Sequence, residues 1–168
     1  IGYGFMGEAL AKRLKGFDIK VVAYDKYKTN FSSKYVEEVS MDFIYKNADF
    51  VSLHTPLTHE TKDLVNTSFI NLFNKPFFLI NTARGHSVKV VDLIEALENQ
   101  KIIGACLDVL EFESTSFEEF SYAENPKFKS LVKFMNVLLT PHIAGWTVES
   151  KEKMAQVILN KIQDKFIT

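Results

Sequence analysis

"IGYGFMG", residues 1–7, sets Gly2, Gly4 and Gly7 in a G-x-G-x-x-G pattern. The pattern belongs in the turn between a buried strand and the helix after it, where glycines let backbone N–H groups approach a pyrophosphate at the helix's positive end. Only Ile1 precedes it, so the first strand is expected as a truncated remnant. Eighteen residues beyond Gly7, Asp25 closes the apolar run "IKVVAYD". A carboxylate there can accept hydrogen bonds from an adenine-ribose diol and would repel a 2'-phosphate. NAD is therefore expected over NADP, with Lys26 and Lys28 nearby moderating that preference.

Outward from this turn the chain alternates two periods. "GEALAKRLKGF" carries Ala9, Leu10, Leu14 and Phe17 at helical spacing, and "SMDFIYKNA" reads as a short helix that Ser40 can cap. Strand "FVSLH", helix "SFINLF", strand "FFLINT", helix "VVDLIEALENQ", strands "IIGACLDV" and "VLLT", and a long helix from about Thr147 complete the series. Continuously apolar strands separated by helices indicate an α/β fold, a doubly wound parallel sheet of Rossmann type covered on both faces. Residues 111–136, rich in Phe, Glu and Lys, break the rhythm and are expected as a partly helical excursion.

Composition narrows the function. A chain of 168 residues, 46% hydrophobic and 24% charged, suits one domain spanning 1–168. The net charge of -1, with both signs interspersed, gives no electrostatic footprint for nucleic acid or an anionic membrane. The single cysteine, Cys106, rules out a disulfide within the chain and reads as a buried core thiol in a reducing, cytoplasmic setting. No metal site is expected.

In a doubly wound sheet, ligands bind beyond the carboxyl ends of the strands. The residues there are the glycine turn, Asp25, then His54, Thr55 and Pro56, then Asn81 to Gly85, then Asp108, Glu111 and Glu113, and finally Pro141, His142 and Gly145. His59 and His86 sit in polar loops, and His54 is equally well a core residue. His142, fixed after Pro141 beside "IAG", differs. Arg84, Glu113 and His142 together offer a carboxylate clamp, a proton carrier and an acid to support that carrier.

Through "GYGFMG", Asp25, "VSLHTPLTHET", "NTARG", "GACLDVLEFE" and "TPHIAG" the chain resembles the nucleotide-binding domain of the D-isomer-specific 2-hydroxyacid dehydrogenases. The resemblance implies NAD as cofactor, with Phe5 and Met6 at the pyrophosphate and Thr82 and Asp108 near the nicotinamide. Its motifs extend the cofactor-contacting set to Thr55, Pro56, Thr61, Ala83, His142 and Gly145. It implies Arg84, Glu113 and His142 as the catalytic set acting on a small 2-hydroxy or 2-oxo acid of the 3-phosphoglycerate, glycerate, hydroxypyruvate or D-lactate type. It also implies a homodimer, sheet order 3-2-1-4-5-6-7, and a discontinuous substrate-binding domain largely absent from these residues. Two departures stand out: Ser114 replaces the proline that commonly follows the glutamate, and the segment from Glu113 to His142 is longer than usual. An NAD-binding regulatory or interaction module without turnover remains the alternative. A methyl-donor-binding domain shares the glycine turn but leaves "NTARG" and "TPHIAG" unexplained.

Overall fold

Short runs, most of them apolar and flanked by turn-forming or helical stretches, become parallel strands. The computed structural model describes residues 1–112 and 124–166; Glu113 and Ser114 lie outside the described residues. Strands β1 (Val22–Ala23) and β2 (Glu37–Glu38) pair with each other, while β3 (Phe50–Leu53), β4 (Phe77–Asn81), β5 (Ile102–Leu107) and β6 (Val137–Leu139) form a second parallel set in that order. Ile1 and Gly2 join the two. The Gly2 N–H donates to the Tyr24 carbonyl at 2.8 Å, and the Ile1 carbonyl accepts from the His54 N–H at 2.8 Å. Counting Ile1 and Gly2 as the first of seven positions in chain order, the arrangement is 3-2-1-4-5-6-7, as the resemblance implies.

Helices α1 (Phe5–Arg13), α2 (Met41–Asn47), α3 (Thr67–Asn71), α4 (Val90–Glu98), α5 (Pro126–Leu131) and α6 (Val148–Phe166) alternate with the strands from β2 onward, and α1 precedes β1. Their ends follow local chemistry. Ser40 caps α2 by accepting from the Phe43 N–H at 3.2 Å, and Asn66 caps α3 through the Phe69 N–H at 3.0 Å. Asp92, nearly buried in α4, receives the Thr67 N–H at 2.8 Å and so locks α3 to α4. The core lies between these helices and β3 to β5. Phe69, Phe73 and Phe77 form an aromatic run there with Tyr45 against its edge, the Phe73 and Phe77 rings stacking at 4.0 Å.

Two expectations are corrected. Cys106 is exposed, because β5 turns Ile103 and Cys106 to a face that no described helix covers. The apolar stripe of the first helix also differs. The helix ends at Arg13, residues Leu14–Phe17 form a 3-10 turn, and the buried residues are Gly7 and Ala11 rather than Ala9 or Phe17. Small residues win because α1 lies against the glycine turn itself. A Cβ on Gly7 would sit 2.5 Å from the Gly2 carbonyl oxygen, a distance that no side chain tolerates.

Register is what builds a site. Leu53, Asn81, Leu107 and Leu139 align in one row across β3, β4, β5 and β6. The residues that follow each of them, His54, Thr82, Asp108 and Thr140, consequently emerge on one rim.

Candidate functional site

The glycine turn forms one end of the rim. Gly4 is exposed, with open space where a Cβ would stand, and α1 begins at Phe5 without a side-chain cap. Phe5 and Met6 are exposed beside it. A helix N-terminus left open in this way presents backbone donors and a partial positive charge to an anion. Next to it Thr55 Oγ1 is buried with no hydrogen-bond partner among the described residues, as a polar atom awaiting a ligand would be. Pro56 and Thr61 belong to the loop after β3. Thr61 Oγ1 donates to the Pro56 carbonyl at 2.6 Å and accepts the Thr58 N–H at 2.8 Å, closing that loop on itself.

Asp25 follows β1 and faces a depression of ≈ 800 Å³ that Tyr24, Thr29, Asn30, Glu38 and Ser40 also line. One carboxylate oxygen accepts the Tyr3 N–H at 2.7 Å, the other those of Tyr27 and Lys28 at 2.9 and 3.0 Å. Partial burial opposes ionisation, but these three donors and the Lys28 charge outweigh it and hold the carboxyl below the ordinary aspartate range. A carboxylate has about four acceptor positions, so one is left for an outside hydroxyl.

His54 resolves as structural. Its ring pairs with Ser52 Oγ at 2.9 Å, and burial lowers its pKa to about 4, leaving it neutral and unfit to carry protons near neutral pH.

At the other end the strand tips are knitted together. The Asn81 carbonyl accepts the Asp108 N–H at 3.0 Å, and the Asp108 carbonyl accepts that of His142 at 2.9 Å. Thr82, Cys106, Asp108, Thr140, Ile143 and Ala144 border a depression of ≈ 350 Å³ there. Ala83 is buried, while Thr82 and Arg84 are exposed on the rim. Asn81, which has no evident role in the sequence, shapes the Arg84 turn. Fully buried, it accepts the Ala83 N–H at 3.1 Å and donates to the Arg84 carbonyl at 3.0 Å. Gly85 closes the turn against Leu110, whose carbonyl would collide with any Cβ at that position.

Asp108 organises the loop that bears His142. Its carboxylate accepts from Thr140 Oγ1 at 2.6 Å and from the N–H groups of Ile143 and Ala144 at 2.9 and 3.0 Å. His142 itself sits between these anchors, half-buried, at φ 55. A left-handed backbone at a residue with a Cβ costs roughly 1–2 kcal/mol, which the Asp108 hydrogen bonds offset. Gly145, on the far side, is exposed and its carbonyl accepts from Ser150 Oγ at 2.5 Å. Arg84 follows β4 and His142 follows β6, with Asp108 after the intervening β5 between them. Glu113 lies outside the described residues. Its neighbour Glu111 is engaged, accepting the Val90 N–H at the start of α4 at 2.9 Å and pairing with Lys127.

Residues 1–144 match the family described as "D-isomer specific 2-hydroxyacid dehydrogenase, NAD binding domain". A glyoxylate reductase of Thermofilum pendens is 38% identical over 160 residues, covering 94% of this chain and 44% of the relative. A D-lactate dehydrogenase of Streptococcus pyogenes is 36% identical, covering 95% of this chain and 50% of the relative. In three dimensions, the NAD-complexed crystal structure of a D-isomer specific 2-hydroxyacid dehydrogenase from Lactobacillus delbrueckii ssp. bulgaricus superposes with a TM-score of 0.85 at 35% identity. That match covers 95% of this chain and 50% of the other. The chain spans about half the length of the curated relatives it matches.

Proposed function

The chain belongs to the D-isomer specific 2-hydroxyacid dehydrogenase family, whose NAD-binding domain it carries, and from that membership we propose that the whole protein moves hydride between NAD and a small D-2-hydroxy acid or its 2-oxo partner. The observation that carries the proposal is the rim itself. An open helix N-terminus, Asp25, Thr82, Arg84 and His142 all emerge beyond the carboxyl ends of parallel strands.

Residues 1–168 serve in this reading as the dinucleotide-binding domain of a larger chain. Gly2, Gly4, Phe5, Met6 and Gly7 cradle the pyrophosphate, and Asp25 takes the ribose diol through its remaining acceptor position. Thr55, Pro56 and Thr61 flank the adenosine end, while Thr82, Ala83, Asp108 and Gly145 border the nicotinamide end. Bound NAD supplies the hydride acceptor or donor. Arg84 holds the substrate carboxylate by paired hydrogen bonds and polarises its carbonyl. His142 Nδ1 or Nε2 gives a proton to the developing alkoxide during reduction and takes it back during oxidation, with Glu113 stabilising the imidazolium.

The test is a panel of 2-oxo acids from glyoxylate and hydroxypyruvate to pyruvate and aromatic acids, offered with NADH to the full-length protein. Oxidation of NADH, with a D-configured product from every 2-oxo acid but glyoxylate, whose product is achiral, supports the reading. NAD binding without turnover on any member would favour the regulatory alternative. A homodimer in the cytoplasm completes the proposal. Among the described residues no helix is long and apolar enough to cross a membrane, and α6 leaves Met154, Val157, Ile158 and Ile162 exposed for a partner surface.

Cofactor choice gives a second expected result. Asp25→Ser removes a charged acceptor, and hydrogen bonds to charged groups contribute about 1.5–3 kcal/mol, so NAD affinity falls by about tenfold or more while NADP affinity falls less. Equal affinities for the two cofactors in the unmodified protein would defeat the assignment of Asp25.

A further inference from the structure

Lys26 and Lys28 follow Asp25, and a lysine pair beside the ribose position is what a 2'-phosphate would seek. In the structure neither is offered to it. Lys28 Nζ turns inward, donating to the Tyr3 carbonyl at 3.3 Å and lying 5.0 Å over the Tyr3 ring. Lys26 Nζ reaches across to the loop after β3 and meets Glu60 Oε1 at 2.5 Å. The second oxygen of Glu60 accepts from the Tyr27 hydroxyl at 2.5 Å. One carboxylate therefore bridges two consecutive residues of the Asp25 loop, from a position more than thirty residues further along the chain.

We propose that Glu60 is a cofactor-specificity residue, which biases the site toward NAD by occupying Lys26 and Tyr27 at the adenosine end of the cleft. The inference rests on the proposed placement of the ribose at Asp25. Its logic is a competition. A 2'-phosphate that recruits Lys26 must share it with Glu60 or displace Glu60, and in either case the Glu60 carboxylate joins Asp25 in repelling it. The neutral diol of NAD requires no such exchange. Discrimination by an unfavourable element against the wrong ligand is the usual way specificity is sharpened. Asp25 cannot swing away to relieve the repulsion, since three backbone donors hold it. The hydrogen bond to Glu60, with the attraction of its charge, also raises the Lys26 pKa, so the lysine is a cation while Glu60 holds it.

As an energetic tie the contact is weak, because both side chains are substantially exposed and surface ion pairs contribute little to stability. Its effect should therefore be seen in selectivity. In the full-length protein at low ionic strength, fluorescence titration with NADPH should give about fivefold tighter binding for Glu60→Gln than for the unmodified protein, the effect of one unit charge about 4 Å away in water. NADH affinity should stay within about twofold. Adding Lys26→Met to Glu60→Gln should abolish the gain, Glu60→Lys should enlarge it, and salt near 0.5 M should erase most of it. An unchanged ratio of NADPH to NADH affinity in both Glu60 variants, with NADH binding intact, overturns the role of Glu60 alone. Failure of the unmodified protein to bind NADH would overturn the nucleotide-site reading as well.

Discussion

Replacing His142 with alanine in the full-length protein should lower kcat by about 100- to 10,000-fold while leaving NADH affinity nearly unchanged. General acid-base assistance contributes on that order, and that is the role proposed for His142. Its backbone has anchors of its own. The backbone N–H is held by the Asp108 and Thr140 carbonyls at 2.9 and 3.0 Å, and the neighbouring N–H groups of Ile143 and Ala144 are held by the Asp108 carboxylate. Removing the imidazole therefore deletes a proton carrier and leaves the loop standing. Stopped-flow reduction of the best 2-oxo acid, beside an NADH titration, separates the two quantities. Near-normal turnover by this variant would remove His142 from the mechanism.

Arg84→Ala should reduce kcat/KM by about 100- to 1,000-fold, the usual consequence of deleting a donor that meets developing negative charge. KM should rise and kcat fall together, because the guanidinium is assigned both to the carboxylate and to the reacting carbonyl. Here too the turn survives. Asn81 Nδ2 binds the Arg84 carbonyl, and Gly85 seats against Leu110 whatever side chain precedes it. Arg84→Lys should recover only part of the loss, since an ammonium cannot reproduce the planar two-point fork. Steady-state kinetics of the three proteins decide the point. An alanine variant with unchanged KM would show that the substrate carboxylate is held elsewhere.

Much of this architecture is legible in the sequence because it rests on short-range rules. The apolar runs locate the strands, Ser40 marks the start of α2, and the glycine turn announces a nucleotide-binding rim whose members follow each strand in order. Long-range pairing is what escapes. Nothing local to Glu60 signals that it spans to Lys26 and Tyr27, and nothing in "GACLDV" distinguishes an Asp108 that faces a ligand from one that fastens the His142 loop. Cys106 shows a different failure. A continuous apolar run implies cover on both faces of the sheet, yet Ile103, Cys106 and Leu138 are exposed among the described residues. Asn81 escaped because a buried amide that shapes a turn through its own side chain looks, in sequence, like any polar residue at a strand end.

Transfer of label tests the central claim most directly. NADH carrying deuterium at both C4 positions of its dihydronicotinamide, incubated with the full-length protein and the 2-oxo acid it reduces best, should yield a D-configured 2-hydroxy acid with deuterium at C2, mole for mole with NADH consumed. Absence of NADH oxidation across the whole panel, or a product whose C2 hydrogen comes from solvent, would contradict the account.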